Sequence, residues 1–295
     1  MDGVLFYSVF NIVIILLVIA DLLFPPKNVI FLTFLWIFLG LSFSAFVYIQ
    51  MGVDHFYEYL SAYFIEKSLS VDNIFVFLLI FERFKIESRY QKDLLFVGIW
   101  GALILRAFMI FAVSEILSAF HFMTYIFGLF IFIMGTMSFI KNNNSDYDKI
   151  LNLQKYFNVF QGDHQGRFFI KEDNGKWKMT ILVVVVICIE ICDIIFAFDS
   201  IPAIFSITDN KAIIYTSNAF AIIGLRSLYL AFEVAVNKFN YLKHGVGIIL
   251  LFIGAKMILT DYYSISPLAS FLIIIGILLG SFCISVINSI RQEEK

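Results

Sequence analysis

The sequence contains little charge, cysteine or histidine. Only 15% of its 295 residues are charged and 61% are hydrophobic, whereas soluble domains have about 25% charged and roughly 45–50% apolar residues. This composition excludes an ordinary soluble domain and gives no support to nucleic-acid binding. The three cysteines all lie in apolar runs, so neither a disulfide framework nor a thiolate metal site is indicated. The chain is expected to be a polytopic integral membrane protein.

Apolar runs long enough to cross a bilayer recur along the chain. A membrane-spanning helix needs roughly 20 apolar residues. The first run lacks a basic leading region and exceeds the length of a signal-peptide core, so we expect it to be retained as a span. The sequence therefore predicts an all-α protein with about nine transmembrane helices. These predicted spans are approximately 4–24, 29–49, 59–81, 94–117, 122–140, 179–198, 212–236, 245–260 and 267–288.

Basic residues concentrate in alternate loops between the predicted spans. One set of loops carries nearly all of the lysines and arginines that lie outside the spans, whereas the opposite set carries only Lys211. The positive-inside rule therefore predicts an external N-terminus and a cytoplasmic C-terminus.

The longest polar segment, about 141–178, lies between the fifth and sixth predicted spans. At its end, apolar and polar residues alternate on both sides of Asn174 and Gly175. This dipeptide is favoured by type I′ turns, so the pattern predicts a β-hairpin at 168–179. We interpret the segment chiefly as a cytoplasmic connector, and alternatively as a docking surface for membrane-protein partners.

Two predicted spans carry several acids within apolar sequence: Glu66 and Asp72 in the third, and Glu190, Asp193 and Asp199 in the sixth. An ionisable group at membrane depth costs several kcal/mol unless it faces a polar interior, so such groups indicate function. On a helix, Glu66, Ser70 and Asn73 share one stripe, whereas Asp72 points about 120° away from Glu66. Pro202 disfavours helical geometry before it, which predicts a break or kink near Asp199.

The chain also contains an internal repeat. The segment at Asp72 resembles that at Asp199 and matches the segment at Asp193 equally well. The sequence alone does not decide which of these two aspartates aligns with Asp72. The sequence around Arg106 resembles that around Arg226, and Gly135 corresponds to Gly254. These matches define repeats at about 58–140 and 179–260. Because their first spans cross in opposite directions, the repeats are expected to be inverted, as in many secondary transporters.

Internal salt bridging is the alternative explanation of the acids, because cations lie at membrane depth as well. Arg106 and Arg226 occupy matching positions and are expected to act as counter-ions. The pathway or counter-ion residues are predicted to be Lys67, Ser70, Arg106, Asn218, Arg226 and Lys256.

The ligand types favour a hard divalent cation. Carboxylates, amide oxygens and hydroxyls suit Mg²⁺, Ca²⁺ or Mn²⁺, and no histidine lies deep in a predicted span. We expect no resident cofactor, with the metal ion as substrate. The candidate metal ligands are Glu66, Asp72, Asn73, Glu190, Asp193 and Asp199.

Three segments resemble the signatures of the TerC family of integral membrane proteins, which is named for tellurium resistance and includes manganese exporters. They are EKSLSVDNIFVF from Glu66, DIIFAFDSIPAIFSIT from Asp193 and YTSNAFAIIGLRSLY from Tyr215. The resemblance implies a nine-helix inner-membrane protein, related more broadly to LysE-type exporters, whose intramembrane aspartates bind a divalent metal for Mn²⁺ efflux.

Three functions are compatible with these patterns. The first is a Mn²⁺ exporter that works by alternating access. The second is a membrane-embedded assembly or metalation factor for exported proteins. The third, an intramembrane aspartyl protease, is disfavoured because the GxGD pattern is lacking, and we expect the protein not to be an enzyme.

Overall fold

The computed structural model describes most of the chain. The described residues are 3–23, 29–113, 122–137, 139, 159–160, 162, 165–172, 175–205, 207–238, 240–259, 261–263 and 265–293.

These residues form α-helices, one π-helical segment and two short strands. The first five helices are α1 Gly3–Leu23, α2 Val29–Met51, α3 Val53–Arg83, α4 Ser88–Phe108 and α5 Phe122–Met137, with the π-helical segment Met109–Val113 directly after α4. The strands are β1 Phe169–Lys171 and β2 Trp177–Met179, and the remaining helices are α6 Ile181–Phe205, α7 Lys211–Ile222, α8 Leu225–Lys238, α9 Asn240–Ile258 and α10 Pro267–Glu293.

The helices have the length and composition of a membrane protein. Among the described residues, five helical stretches are long and apolar enough to cross a bilayer: Val29–Met51, Ser88–Phe111, Ile181–Phe198, Lys211–Val236 and Leu268–Ile287. Shorter apolar stretches occur in α1, α5 and α9. The prediction of an all-α membrane protein is therefore confirmed.

Helix α3 is the central element of the bundle. It packs against α2, α6, α7 and α10, and from Ser70 to Phe77 every side chain is buried. A helix that is buried all round in a membrane protein can carry charge only where its neighbours provide partners. The polar residues of α3 therefore have to find those partners within the bundle.

Helices α5 and α9 approach each other closely. A side chain at Gly254 of α9 would collide with the backbone of α5 at Gly128 and Phe132, and one at Gly135 of α5 would collide with the backbone of α9 at Leu251. Small residues at such crossings let two backbones come into direct contact.

The helices are interrupted elsewhere than predicted. Helix α6 continues to Phe205, so the predicted break near Asp199 is wrong, whereas the alternative, a kink there, stays a prediction. A helix tolerates a proline when tertiary packing compensates for the missing backbone donor. The chain instead departs from α-helical geometry at the π-helical segment after Arg106, and at Ile223 and Gly224 between α7 and α8. Gly224 has φ +87°, a conformation that only glycine adopts readily.

The two strands form an antiparallel pair immediately before α6. Phe169 pairs with Met179 and Lys171 pairs with Trp177, within the segment 168–179 where the sequence predicts a hairpin. The turn residues 173–174 lie outside the described part, as do 140–158 of the preceding loop.

A buried charge cluster between the helices

The buried polar residues of α3 belong to two separate clusters. Glu66, Ser70 and Asn73 are buried and lie along one stripe, because residues four and seven positions apart share a side of a helix. Asp72 is buried too but points in a different direction. The stripe meets α4 and α6, whereas Asp72 meets α9.

Arg106 of α4 is the centre of the first cluster. Its Nε donates to Oδ2 of Asp193 at 2.9 Å and its Nη2 donates to Oδ1 at 2.7 Å, a bidentate pair of the strong, charge-assisted kind. Its Nη1 contacts Oε1 of Glu66. All three side chains are almost wholly buried. One guanidinium is therefore shared by a carboxylate of α3 and a carboxylate of α6.

Two amides complete this cluster. Asn73 donates from Nδ2 to Oδ1 of Asp193 at 3.5 Å, and Oδ1 of Asn218 in α7 accepts from Nη1 of Arg106 at 3.5 Å. Oδ1 of Asn73 and Nδ2 of Asn218 have no hydrogen-bond partner among the described residues. Buried polar atoms are usually paired, so these two atoms remain available to a bound ligand or to a different arrangement of the cluster.

Glu190 lies one helical turn before Asp193 on the same face of α6. Both of its carboxylate oxygens are inaccessible and have no hydrogen-bond partner among the described residues. It packs against α4, where a side chain at Gly101 would overlap the carboxylate. The structure thus contains a carboxyl group beside the Arg106 cluster that no described cation neutralises.

The second cluster joins α3 to α9 and α10. Lys256 donates from Nζ to Oδ2 of Asp72 at 3.1 Å and to Oγ of Ser270 at 3.3 Å. Oδ1 of Asp72 has no hydrogen-bond partner in the described part. No ion pair or hydrogen bond between described residues links Asp72 directly to Asp193, so Asp72 and Asp193, one of its two possible repeat counterparts, belong to different clusters here.

A third ion pair holds α1 and α2 to α8. Arg226 lies with its Nε 3.4 Å from Oδ2 of Asp21 and donates from Nη2 to the Asp21 carbonyl at 3.1 Å. Trp36 donates from Nε1 to Oδ1 of the same aspartate at 3.0 Å. Arg226 is therefore a counter-ion, as the sequence predicts, but its partner Asp21 is absent from the predicted set. Its position inside the first apolar run was the signal that could have revealed it.

Lys67 has a different kind of partner. Its Nζ donates to the carbonyl oxygen of Ala221 at 3.0 Å. Ala221 lies in the last turn of α7, where carbonyl groups lack helical partners and attract cations. Lys67 thus stabilises the interruption between α7 and α8.

The predicted ligands do not form a ready-made metal site in this arrangement. Among the described residues, no group of three or more histidine, cysteine or acidic side chains is close enough to hold a metal ion. Arg106 fills the space between Glu66 and Asp193 instead. The side chain of Asp199 lies outside the described part, so its predicted role stays a prediction.

A cavity of about 580 Å³ opens near the hairpin end of the bundle, between α3, α4, α8 and α9. Its walls carry Glu82, Glu233 and His244, and Tyr229 donates to Gln91 at 2.6 Å where both line it. The cavity lies on the same side of the bundle as Tyr90, against which Gly166 of the hairpin segment packs.

A bundle of long apolar helices with buried ion pairs between them defines a polytopic integral membrane protein. The chain belongs to the TerC family of integral membrane proteins, whose family model matches residues 51–294.

Its relatives are membrane proteins from several bacteria. An uncharacterised membrane protein of Myxococcus xanthus is 41% identical over 86% of this chain and 81% of its own length. The putative membrane-bound redox modulator Alx of Escherichia coli is 37% identical over 80% of this chain and 75% of its own. An uncharacterised membrane protein of Rickettsia conorii is 35% identical over 98% of each chain. No solved structure matches the chain.

Proposed function

We propose that the protein is a divalent-cation exporter of the bacterial inner membrane, with Mn²⁺ as its main substrate. It works by alternating access between two inverted three-helix repeats, within about nine membrane spans, with its N-terminus outside and its C-terminus in the cytoplasm. Inverted repeats with a substrate site between them are a common transporter architecture.

The charge balance of the Arg106 cluster carries this proposal. Glu66 comes from the first repeat and Asp193 from the second, and they share one guanidinium. Glu190 lies one turn away without a described counter-cation. When all three carboxylates are ionised, the group has two negative charges in excess, which a divalent cation would balance. Carboxylate and amide oxygens are also the ligands that Mn²⁺ accepts.

In this arrangement Arg106 acts as an internal substitute for the cation. A metal ion can bind only if the guanidinium moves away from Glu66 and Asp193, since both would occupy the same space. The π-helical segment that begins three residues after Arg106 is a feature often found at functional sites. We propose that α4 shifts at this segment when the cation binds.

The cavity between α3, α4, α8 and α9 provides a cytoplasmic access route. It reaches Leu79, which lies about 10 Å beyond Asp72 along α3, and Leu250, which lies about 9 Å before Lys256 along α9, at 1.5 Å per residue. Its walls carry two acids, Glu82 and Glu233, against one lysine, Lys85, and this excess of acids would attract cations into it. Asp72 and Lys256 would then form the inner barrier of this route.

The proposal is tested by Mn²⁺ flux in proteoliposomes and by the manganese content of expressing cells. Asp193→Asn keeps the shape of the side chain, and Arg106 retains Glu66 as counter-ion. We expect flux per folded protein to fall about tenfold or more, because one charged ligand contributes about 1.5–3 kcal/mol.

The matched control is the double variant Asp21→Asn with Arg226→Gln. It removes a buried ion pair as well, but one at the α1–α8 contact, and it leaves no unpaired charge. Its flux per folded protein should stay near that of the unaltered chain. Unchanged flux in Asp193→Asn, or equal losses in both variants, would contradict a cation site at Asp193.

We keep the assembly or metalation factor as a second candidate because the hairpin before α6 presents exposed aromatic residues, Phe169 and Trp177. In this alternative the segment about 141–178 would recruit membrane-protein partners. Deleting 168–179 distinguishes the two functions: an exporter that still folds retains Mn²⁺ flux, whereas an assembly factor loses the recovery of its client proteins.

A further inference from the structure

The hairpin of β1 and β2 has an inner face and an outer face. Because side chains alternate along a strand, Phe168, Ile170 and Lys178 point to one side, and Phe169, Lys171 and Trp177 to the other. Phe168 packs against the apolar core of the bundle. The outer side chains are exposed, Phe169 by 55% and Trp177 by 69%.

Positive charge accompanies the outer aromatics. Lys171 lies directly across from Trp177 in the strand pair, and Arg167 is exposed two residues before Phe169. On the inner face, Lys178 is neutralised by Glu172, with Nζ 2.7 Å from Oε1. The outer face therefore combines two large apolar rings with two cations.

The position of the hairpin limits how far this face can lie from the bilayer. Only Thr180 separates β2 from α6, and the hydroxyl of Thr180 donates to the carbonyl of Arg167 at 2.8 Å. Trp177 is four residues from the start of α6, so it can lie at most about 14 Å from that point. Tryptophan at this depth favours the headgroup region, and basic residues favour anionic lipids.

We propose that the outer face, Arg167, Phe169, Lys171 and Trp177, binds the headgroup layer of a membrane that contains anionic phospholipids. The rings insert between headgroups while the two cations pair with lipid phosphates. Each basic residue near such a surface contributes about 1 kcal/mol. The hairpin thereby holds the beginning of α6 at a fixed depth. The same helix carries Glu190 and Asp193 further along.

Tryptophan fluorescence tests this assignment in the full-length protein. The chain has three tryptophans, and subtraction of a Trp177→Phe variant isolates the signal of Trp177. The protein is reconstituted in vesicles of phosphatidylcholine alone or with phosphatidylglycerol added, using brominated lipids as quenchers from the bilayer and acrylamide from the water. We expect brominated lipids to quench Trp177 more strongly, and acrylamide to quench it less, when phosphatidylglycerol is present.

Two lysine variants provide the matched comparison. Lys171→Gln on the outer face should lower the ratio of bound to unbound hairpin about fivefold in the anionic vesicles, the equivalent of about 1 kcal/mol. Lys178→Gln makes the same charge change on the inner face and should leave the ratio unchanged. Equal effects of the two variants, or equal quenching in both lipids, would overturn recognition of anionic headgroups. A Trp177 that acrylamide reaches freely in both would overturn contact of this face with the headgroup layer altogether.

Discussion

Arg106 and Arg226, which the sequence matches to each other, have similar sequence surroundings and different environments. Arg106 binds acids from α3 and α6. Arg226 binds Asp21 of α1, and Trp36 of α2 also donates a hydrogen bond to that carboxylate. Arg106 therefore joins α4 to α3 and α6, whereas Arg226 attaches α1 and α2 to α8.

The backbone differs at the same two places. Arg106 lies within an unbroken α-helix that becomes π-helical three residues later, whereas Arg226 lies in the first turn of α8, just after the interruption at Gly224. A repeated sequence therefore does not imply a repeated role. The comparison separates a cluster with excess negative charge from an ion pair whose charges balance.

The largest effect is expected from Arg106→Met. This variant leaves Glu66 and Asp193 buried without a counter-ion, which typically costs about 3–5 kcal/mol when a buried pair loses one partner. We expect a corresponding fall in the stability of the detergent-solubilised protein, measured by thermal or denaturant unfolding.

A neutral combination provides the control for that variant. Adding Glu66→Gln and Asp193→Asn to Arg106→Met removes the unpaired charges and should restore most of the lost stability, since neutral replacements of buried ion pairs are often tolerated. If stability does not recover, packing around Arg106 rather than charge balance accounts for the loss.

A smaller effect is expected from Arg226→Met. Only one acid loses its counter-ion, the Arg226 to Asp21 distance is 3.4 Å, and Trp36 still donates to the carboxylate. We expect a loss of about 2 kcal/mol, the scale of a hydrogen bond to a charged group. A loss equal to that of Arg106→Met, measured in the same unfolding assay, would contradict the distinction between the two arginines.

The smallest effects concern the positions two residues before each arginine, Gly224 and Ile104. Gly224→Ala places a side chain at φ +87° against Trp36 and should cost about 1–2 kcal/mol. Ile104→Gly changes an exposed position in a continuous helix and should cost about 0.5–1 kcal/mol. Unfolding of both variants in one detergent measures the difference, and a costlier Ile104→Gly would contradict the structure.

The sequence predicts the membrane class and the chemistry of the buried side chains well. Composition alone leads to the all-α membrane protein, and the position of Glu66 and Asp193 in apolar helices predicts that each needs a partner. Helical periodicity also predicts that Glu66 and Asp72 point in different directions, which is why they belong to different clusters.

The sequence does not predict which acid pairs with which cation, because that pairing depends on how the helices pack. Repeat matching allows Asp193 or Asp199 as the counterpart of Asp72, yet Asp72 meets Lys256 of α9 whereas Asp193 meets Arg106 of α4. Pro202 predicts a break by local backbone chemistry, but the bundle maintains α6 through it. Conversely, nothing local to Met109–Val113 signals a π-helical segment.

The contact of α5 with α9 limits which parts of the bundle can move independently. Gly128 and Gly254 bring the two backbones together without intervening side chains. A sliding motion between the helices would move larger side chains into this contact, so we expect the two helices to move as one rigid body. Any opening towards one side of the membrane must then arise where longer side chains separate the helices, around α3, α4 and α6.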